Sequence, residues 1–305
     1  MSSAKFKAYI DAPASVERTL AGLGASRTEG RADGLKRRVS FATDGWIVNV
    51  DTVIDGVHCV EAEVFADASS TEEQLAADLR RELGISQLDV LPWSYAQIGL
   101  MLSRAQEYRR ELGDELVRVF FLDGPSGAGK STVAAALRRR FADSGEYVRR
   151  CTTRAPRPGP EDRDEYRHLT VEAYQAHVDK GEFVESRDFL FGMSYGLRWA
   201  DVVAALAATD GPVFGLVNLG SVRHLRIVAP SANRLLLTVP LETVKRRLEA
   251  RGVHDPAALD ERLQNARSLA GMDDLYDYVI VNDDGDLDQT VDRAAAIMLG
   301  SPAPR

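Results

Sequence analysis

Gly124, Gly129, Lys130 and Ser131 stand in the stretch GPSGAGKST, residues 124–132, at the spacing G-x-x-x-x-G-K-[ST]. Glycines so placed let consecutive backbone N–H groups curl around phosphate oxygens, and the positive end of a following helix points at the same place. The lysine after the last glycine reaches the outer phosphates of a nucleoside triphosphate, and the next hydroxyl reaches a magnesium ion. Gly124, Ser126, Gly127, Ala128, Gly129, Lys130, Ser131 and Thr132 are therefore candidate nucleotide-binding residues, with Ser131 as the metal ligand. Such a loop needs a strand ending at its first glycine and a helix starting at its lysine. Phe120–Leu122 is apolar and strand-like, and Ser131–Arg139 is made of helix formers.

A second grouping follows in RRCTTRAPRPGPEDRDEYRHL, residues 149–169. Arg154, Arg157 and Tyr166 put two guanidinium forks and a hydroxyl on one loop, a set suited to a second phosphate group. On composition alone the same loop also reads as a solvated basic segment.

The elements that must position these groups change character along the 305 residues, a length suggesting two domains. AKFKAYID, LKRRVSF, GWIVNVDTV and HCVEAEVF read as short strands divided by Gly and Asp turns, with a helix at Ala14–Leu23, which predicts antiparallel pairing. Ser70 and Glu73 form a plausible capping box for a helix running to Leu83, and Leu91–Arg110 reads as a further helix. From Val117 strands and helices alternate: RVFFLDG, EYVRRC, PVFGLVNL, RLLLTVP and DYVIVN as strands, with helices at Val171–Lys180, Ala200–Ala208, Leu241–Arg251, Ala257–Ala270 and Leu287–Met298. That alternation predicts a parallel sheet flanked by helices, with ligands at the carboxyl ends of its strands. The expected domains are a small α+β antiparallel one over 1–112 and an α/β one over 113–305.

Hydrophobic residues make up 45% of the chain, enough for ordinary cores. Residues 1–113 hold 13 Lys and Arg against 17 Asp and Glu, and the remainder 25 against 29, so each part carries −4 of the total −8. No basic domain emerges, which argues against a nucleic-acid partner. Cys59 and Cys151 make no disulfide framework. The start MSSAKFKAYID lacks the apolar core of a signal peptide and no run approaches 18 apolar residues, so a cytoplasmic protein is expected, without membrane contact.

From Val117 to Met298 the chain resembles guanylate kinases. GPSGAGKST, TTRAPRPG, the tyrosine nine residues beyond Arg157, GEFVE, Tyr195–Gly196, RLEARG, ERLQNAR and YDYVIVNDD follow one another in that family's order. The resemblance implies a P-loop kinase that moves the γ-phosphoryl of MgATP to a nucleoside monophosphate. It implies that Arg154, Arg157, Tyr166 and Tyr195 hold the acceptor's phosphate. Lys130, Arg154, Arg247, Arg251 and Arg262 would stabilise charge on the transferred group, and Asn282 would meet the donor adenine. Positioning and countercharge are most of what this chemistry asks of a protein.

Departures from the family's pattern bear on the acceptor. Where the family reads guanine with a serine, a glutamate and an aspartate, this chain has Arg150, Glu185 and Asn218. The strand near Leu216 also lacks the usual acidic residue, leaving magnesium to the phosphates and Ser131. GLVNLGSVRHL looks more like the equivalent strand of ribose 1,5-bisphosphate phosphokinases. GMP or dGMP is the expected acceptor; a ribose bisphosphate-type or modified-nucleotide acceptor of a specialised pathway is the alternative, and a non-catalytic binding scaffold on the same fold is the rival of another class.

Residues 1–108 resemble the CYTH superfamily of class IV adenylyl cyclases and thiamine triphosphatases through KAYIDAPASVERTLAGLGA, VNVDTVIDGVHCVEAEV, LRRELGI and WSYAQI. The opening acidic pair is absent, and the middle strands are missing. Glu61 and Glu63, two apart on a strand, face one side and could bind a metal. Lys36, Arg37 and Arg38 could meet a phosphate. As surface charges of a degenerate domain they would do neither.

Overall fold

The computed structural model describes residues 3–28, 37–53, 57–65, 71–85, 90–91, 93–157, 160–189, 193–253, 255–269 and 272–300. Two compact units divide the chain, Met1–Gly99 and Leu100–Arg305.

The first unit runs β1 (Ser3–Tyr9), α1 (Pro13–Gly22), β2 (Ser26–Thr28), β3 (Arg37–Ala42), β4 (Trp46–Thr52), β5 (His58–Phe65) and α2 (Glu72–Glu82). Among the described residues the strands form an antiparallel sheet in the order β1-β5-β4-β3-β2. Period-two alternation sends Phe6, Ala8, Val39, Phe41, Val48, Val50, Val60, Ala62 and Val64 to one face, where they pack with Val16 and Leu20 of α1 and Ala76 and Leu79 of α2. The opposite face is charged, and the register pairs its charges. Lys5 opposes Glu63, Lys7 opposes Glu61, and Arg38 opposes Asp51. The ion pairs close at 3.1, 3.4 and 2.7 Å, and Arg38 also reaches Glu61 at 2.8 Å. Glu61 and Glu63 do share a face, but each meets a cation there. Lys36 and Ser70 lie outside the described residues. The α2 cap is Thr71, whose Oγ1 accepts from the Gln74 N–H at 3.2 Å, so the expected box sits one residue later. Three consecutive hydroxyls in the sequence offer the same local chemistry, and the helix start selects among them.

A helix α3 (Tyr95–Leu112) follows, and the division between the units falls within it. The second unit continues with β6 (Val119–Asp123), α4 (Lys130–Arg140), β7 (Glu146–Val148), β8 (Arg150–Thr152), α5 (Pro160–Glu165), β9 (Tyr166–His168), α6 (Val171–Val178), β10 (Phe183–Phe189), β11 (Met193–Arg198), α7 (Trp199–Ala208), β12 (Val213–Leu216), α8 (Val222–Val228), β13 (Asn233–Thr238), α9 (Leu241–Ala250), α10 (Pro256–Arg267), β14 (Tyr278–Val281) and α11 (Leu287–Met298). Its parallel sheet has the order β14-β13-β6-β12-β7. The central strands are apolar on both faces because helices cover both. The remaining strands make a separate sheet, β10-β11-β8-β9. EYVRRC is thus two strands rather than one. Pairing with β12 stops at Val148, and after Arg149 the chain pairs with β11 and β9 instead.

His224 on α8 is 2% exposed, and burial lowers its pKa to about 4, against a weak upward pull from the Val184 backbone. A depressed histidine stabilises the fold above its unfolded value near 6.5, and that contribution is lost as pH falls through about 4. Between pH 7 and 4.5 the expected loss is about 2–3 kcal/mol. Urea midpoints should show a smaller acid-induced drop in His224→Gln than in the wild type; equal drops would rule this out.

Candidate active site

β6 emerges from the core and ends in Asp123, beside the glycine loop. Gly124 takes φ +150°, and a Cβ there would lie 2.3 Å from the Leu237 carbonyl oxygen. Gly129 takes φ +88°, and a Cβ would lie 2.4 Å from Asn282 Nδ2. Both positions demand glycine for conformation and for space. Lys130 folds back so that Nζ donates to the Gly124 and Pro125 carbonyls, the latter at 3.1 Å. Burial lowers its pKa to about 8, with Asp123 pulling the other way. Asp123 is itself buried and pushed up to about 6. One of its oxygens accepts the Gly124 N–H at 2.6 Å and the other the Tyr276 hydroxyl at 2.7 Å.

Three of the residues expected around the donor brace this loop. Asn282 Nδ2 donates to Ala128 O at 2.7 Å. Arg247 on α9 donates to Gly127 O at 3.2 Å, Asn282 O at 3.0 Å and Asp284 Oδ1 at 2.9 Å. Arg262 on α10 lies 3.5 Å from Ser126 Oγ. Arg251 is exposed at the end of α9, where its charge acts on Lys130. Ser131 and Thr132 open α4, and Ser131 Oγ donates to Glu165 Oε1 at 3.0 Å.

The second sheet carries the other group. Arg154 lies over the Tyr166 ring at 5.1 Å and donates to Asp162 and to Ala155 O. Asp162 also accepts the Arg157 N–H at 2.9 Å, while the Arg157 residue itself is exposed. Tyr166 and Tyr195 meet edge to face, 5.8 Å between ring centroids. Arg150, 6% exposed, lies over the Tyr195 ring at 5.1 Å and donates to Asn218 Oδ1. Asn218 in turn donates to Glu185 Oε2 and Tyr195 O, both at 2.8 Å. Glu185 is 0% exposed. Its Oε2 also accepts from Ser221 Oγ at 2.9 Å, whereas Oε1, like Arg150 Nε, has no hydrogen-bond partner among the described residues. Burial raises the Glu185 pKa, opposed by the Arg150 charge and by hydrogen bonds from Ser221 and Asn218.

Arg150, Glu185 and Asn218 are therefore one contact set. Sequence reasoning missed Asp123, Asp162, Glu165, Ser221 and Tyr276. An acid closing the apolar run FFLD was a usable signal for Asp123; Asp162 depends on the folding of its own loop onto Arg154 and Arg157, and Glu165, Ser221 and Tyr276 on contacts distant in sequence. Ser131 and Glu165 supply hard oxygen donors that suit Mg2+. Among the described residues there is no group of three or more His, Cys, Asp or Glu that could hold a metal by itself. Such an ion would draw its other ligands from phosphate and water, as Mg2+ commonly does.

A glycine loop of phosphate-binding sequence at the carboxyl end of a parallel sheet, with an arginine- and tyrosine-bearing sheet joined to it, defines a P-loop kinase. The family model described as guanylate kinase matches residues 117–299. The guanylate kinase of Frankia casuarinae is 38% identical over 59% of this chain and 96% of its own length, and that of Mycobacterium sp. strain MCS is 36% identical over 54% and 83%. Among solved structures, guanylate kinase from Anaplasma phagocytophilum aligns over 60% of this chain and 84% of that one, at 23% identity and a TM-score of 0.45. The chain belongs to the guanylate kinase family.

Proposed function

We propose that this chain transfers the γ-phosphoryl of ATP to GMP or dGMP. The observation that carries the acceptor is the buried Glu185 carboxylate, one oxygen bonded by Asn218 and Ser221 and the other without a protein partner, next to Arg150. A carboxylate can accept from both N1–H and the 2-amino group of guanine, a donor pair that adenine, cytosine and uracil lack. An arginine fork suits guanine O6 and N7. The relatives from Frankia casuarinae and Mycobacterium sp. strain MCS are guanylate kinases, which supports the same acceptor.

In this reading Lys130 and the loop amides hold the donor phosphates, with Asn282 at the donor side. Arg154, Arg157, Tyr166 and Tyr195 hold the acceptor phosphate. Arg154, Arg247, Arg251 and Arg262 offset charge on the phosphoryl in flight, where fixed countercharge acts strongly because it needs no reorganisation. The Ser131 hydroxyl would hold magnesium, which would supply charge neutralisation on the donor. A screen of GMP, dGMP, AMP, CMP, UMP and ribose 1,5-bisphosphate with coupled ADP detection tests the proposal. Guanine nucleotides should turn over at least about tenfold faster than the other bases. A second reading, a ribose bisphosphate acceptor, is favoured by the bond between Arg150 and Asn218, which leaves Arg150 suited to a second phosphate. The scaffold reading predicts no ADP with any acceptor.

We further propose that the protein acts on small molecules in the cytoplasm, without nucleic-acid partners. Among the described residues no helix is long and apolar enough to cross a membrane. Residues 1–112 are taken as a degenerate CYTH-like domain before a kinase domain over 113–305, supported by the antiparallel sheet with one charged face. Because Lys5, Lys7 and Arg38 already pair with Glu63, Glu61 and Asp51, that face has its charges balanced internally. With the kinase site silenced by Lys130→Ala, the full chain should release no phosphate from tripolyphosphate with Mg2+ or Mn2+. Metal-dependent release abolished by Glu61→Gln with Glu63→Gln would overturn this.

A further inference from the structure

We propose that Glu165 is a protein ligand of the nucleotide's metal ion, binding cis to the Ser131 hydroxyl; this rests on the phosphoryl-transfer reading above. The phosphate loop lacks an acid where the neighbouring strand could offer one. β12 is Val213–Leu216, buried and apolar throughout, and the chain continues through Val217 to Asn218. Asp123 does stand beside the loop, but Gly124 N–H and the Tyr276 hydroxyl occupy its two oxygens. Glu185 is committed to Asn218 and Ser221. The carboxylate that meets the first turn of α4 comes instead from the end of α5, as Glu165 Oε1 at 3.0 Å from Ser131 Oγ.

That separation has a meaning in coordination chemistry. Two oxygens bound cis to an octahedral Mg2+ at about 2.0–2.1 Å lie about 2.9 Å apart. The pair is already spaced as one edge of such an octahedron, so a metal can replace the hydrogen bond with little movement of either side chain. The hydroxyl stays neutral and offers a lone pair, while the carboxylate brings the charge. Lys130 feels the positive charges of Arg150 and Arg251, and Glu165 and Asp123 oppose them. The triphosphate draws the dication in, and Glu165, which accepts from the Ser131 hydroxyl, adds negative charge where Lys130, Arg150 and Arg251 are positive.

The test separates metal from nucleotide. Mn2+ serves as the EPR-visible ion and β,γ-methylene-ATP as a donor that cannot turn over. Glu165→Gln keeps an oxygen for Ser131 but loses the charge. It should weaken Mn2+ binding to the protein–analogue complex at least about tenfold, while metal-free analogue binds within about twofold of wild type. Glu165→Asp should recover part of the lost Mn2+ affinity, and thermal midpoints should match wild type. Mn2+ affinity unchanged within about twofold in Glu165→Gln, or metal-free analogue weakened as much as Mn2+, overturns the assignment. The outcomes are distinguishable from failure of the kinase reading. Wild-type GMP turnover with Glu165-independent Mn2+ binding removes only this ligand. Glu165-dependent Mn2+ binding without turnover of any acceptor removes the kinase reading and leaves the metal site standing.

Discussion

Lys130→Ala leaves no more than about a hundredth of wild-type phosphoryl transfer, with the fold intact. The ammonium is held by the Gly124 and Pro125 carbonyls, and the proposed reaction puts the outer phosphates of the donor there. Preorganised countercharge of this kind contributes on the order of 100-fold or more in rate, because it acts where charge develops and costs no rearrangement. Burial opposes the ammonium in the free protein, so its removal should leave the urea midpoint at or above wild type. The same burial makes a pH signature. With a pKa of about 8 in the free protein, Lys130 is charged below that pH and loses its proton above it. The phosphates favour the charged form, so ATP affinity should weaken as pH rises beyond about 8. Turnover above roughly a third of wild type in Lys130→Ala would sink the catalytic assignment.

Glu185→Ala should abolish discrimination among bases while leaving donor binding in place. A site built on hydrogen bonds to one base rejects others because its buried polar groups are left unpaired, an effect that reaches several powers of ten. Removing the carboxylate takes away the acceptor for two guanine N–H groups and also releases Asn218 and Ser221. Guanine preference should collapse from at least about tenfold to near unity, read as kcat/KM for GMP against AMP. Glu185→Gln keeps the volume and still accepts from Ser221, but its amide cannot accept from both guanine donors through its nitrogen. It should lose most of the preference with the fold unchanged, which separates recognition from folding. Ribose 1,5-bisphosphate outperforming every nucleotide would show that Arg150 and Asn218 serve a different acceptor. So would a base preference that survives both variants.

What could be read before the structure was local. The loop from Gly124 to Ser131 is legible because eight consecutive residues contain its whole geometry. The helices α1, α7, α9 and α11 were readable from periodicity and their flanking breakers. The two-residue spacing of Glu61 and Glu63 puts them on one face, but their neutralisation depends on the register that sets Lys7 and Lys5 opposite them. The hairpin of β10 and β11 is not legible in the sequence, because among the described residues its strands are fixed by pairing with each other and with β8. Long-range pairings were invisible in principle. Ser131 finds Glu165 34 residues on, and Asp123 finds Tyr276 153 residues on. No spacing rule spans such separations, so the family resemblance supplied Arg247 and Asn282 and could not supply residues in which this chain differs.

The break of EYVRRC at Arg149 has a mechanical consequence. Everything from β8 to β11, Arg150 to Arg198, is one insertion whose chain leaves the parallel sheet after Val148 and rejoins the helical layer at Trp199. This inserted body is tied back to the frame by Asn218 Nδ2 to Tyr195 O at 2.8 Å, Arg187 to Leu219 O at 2.8 Å and Arg167 to Asp201 at 3.1 Å. Arg150, Arg154, Tyr166 and Tyr195 all ride on that body, while Lys130 stays with the frame. Any change in how the body seats would move those four side chains together relative to Lys130, against the hydrogen bonds of Asn218 and Ser131.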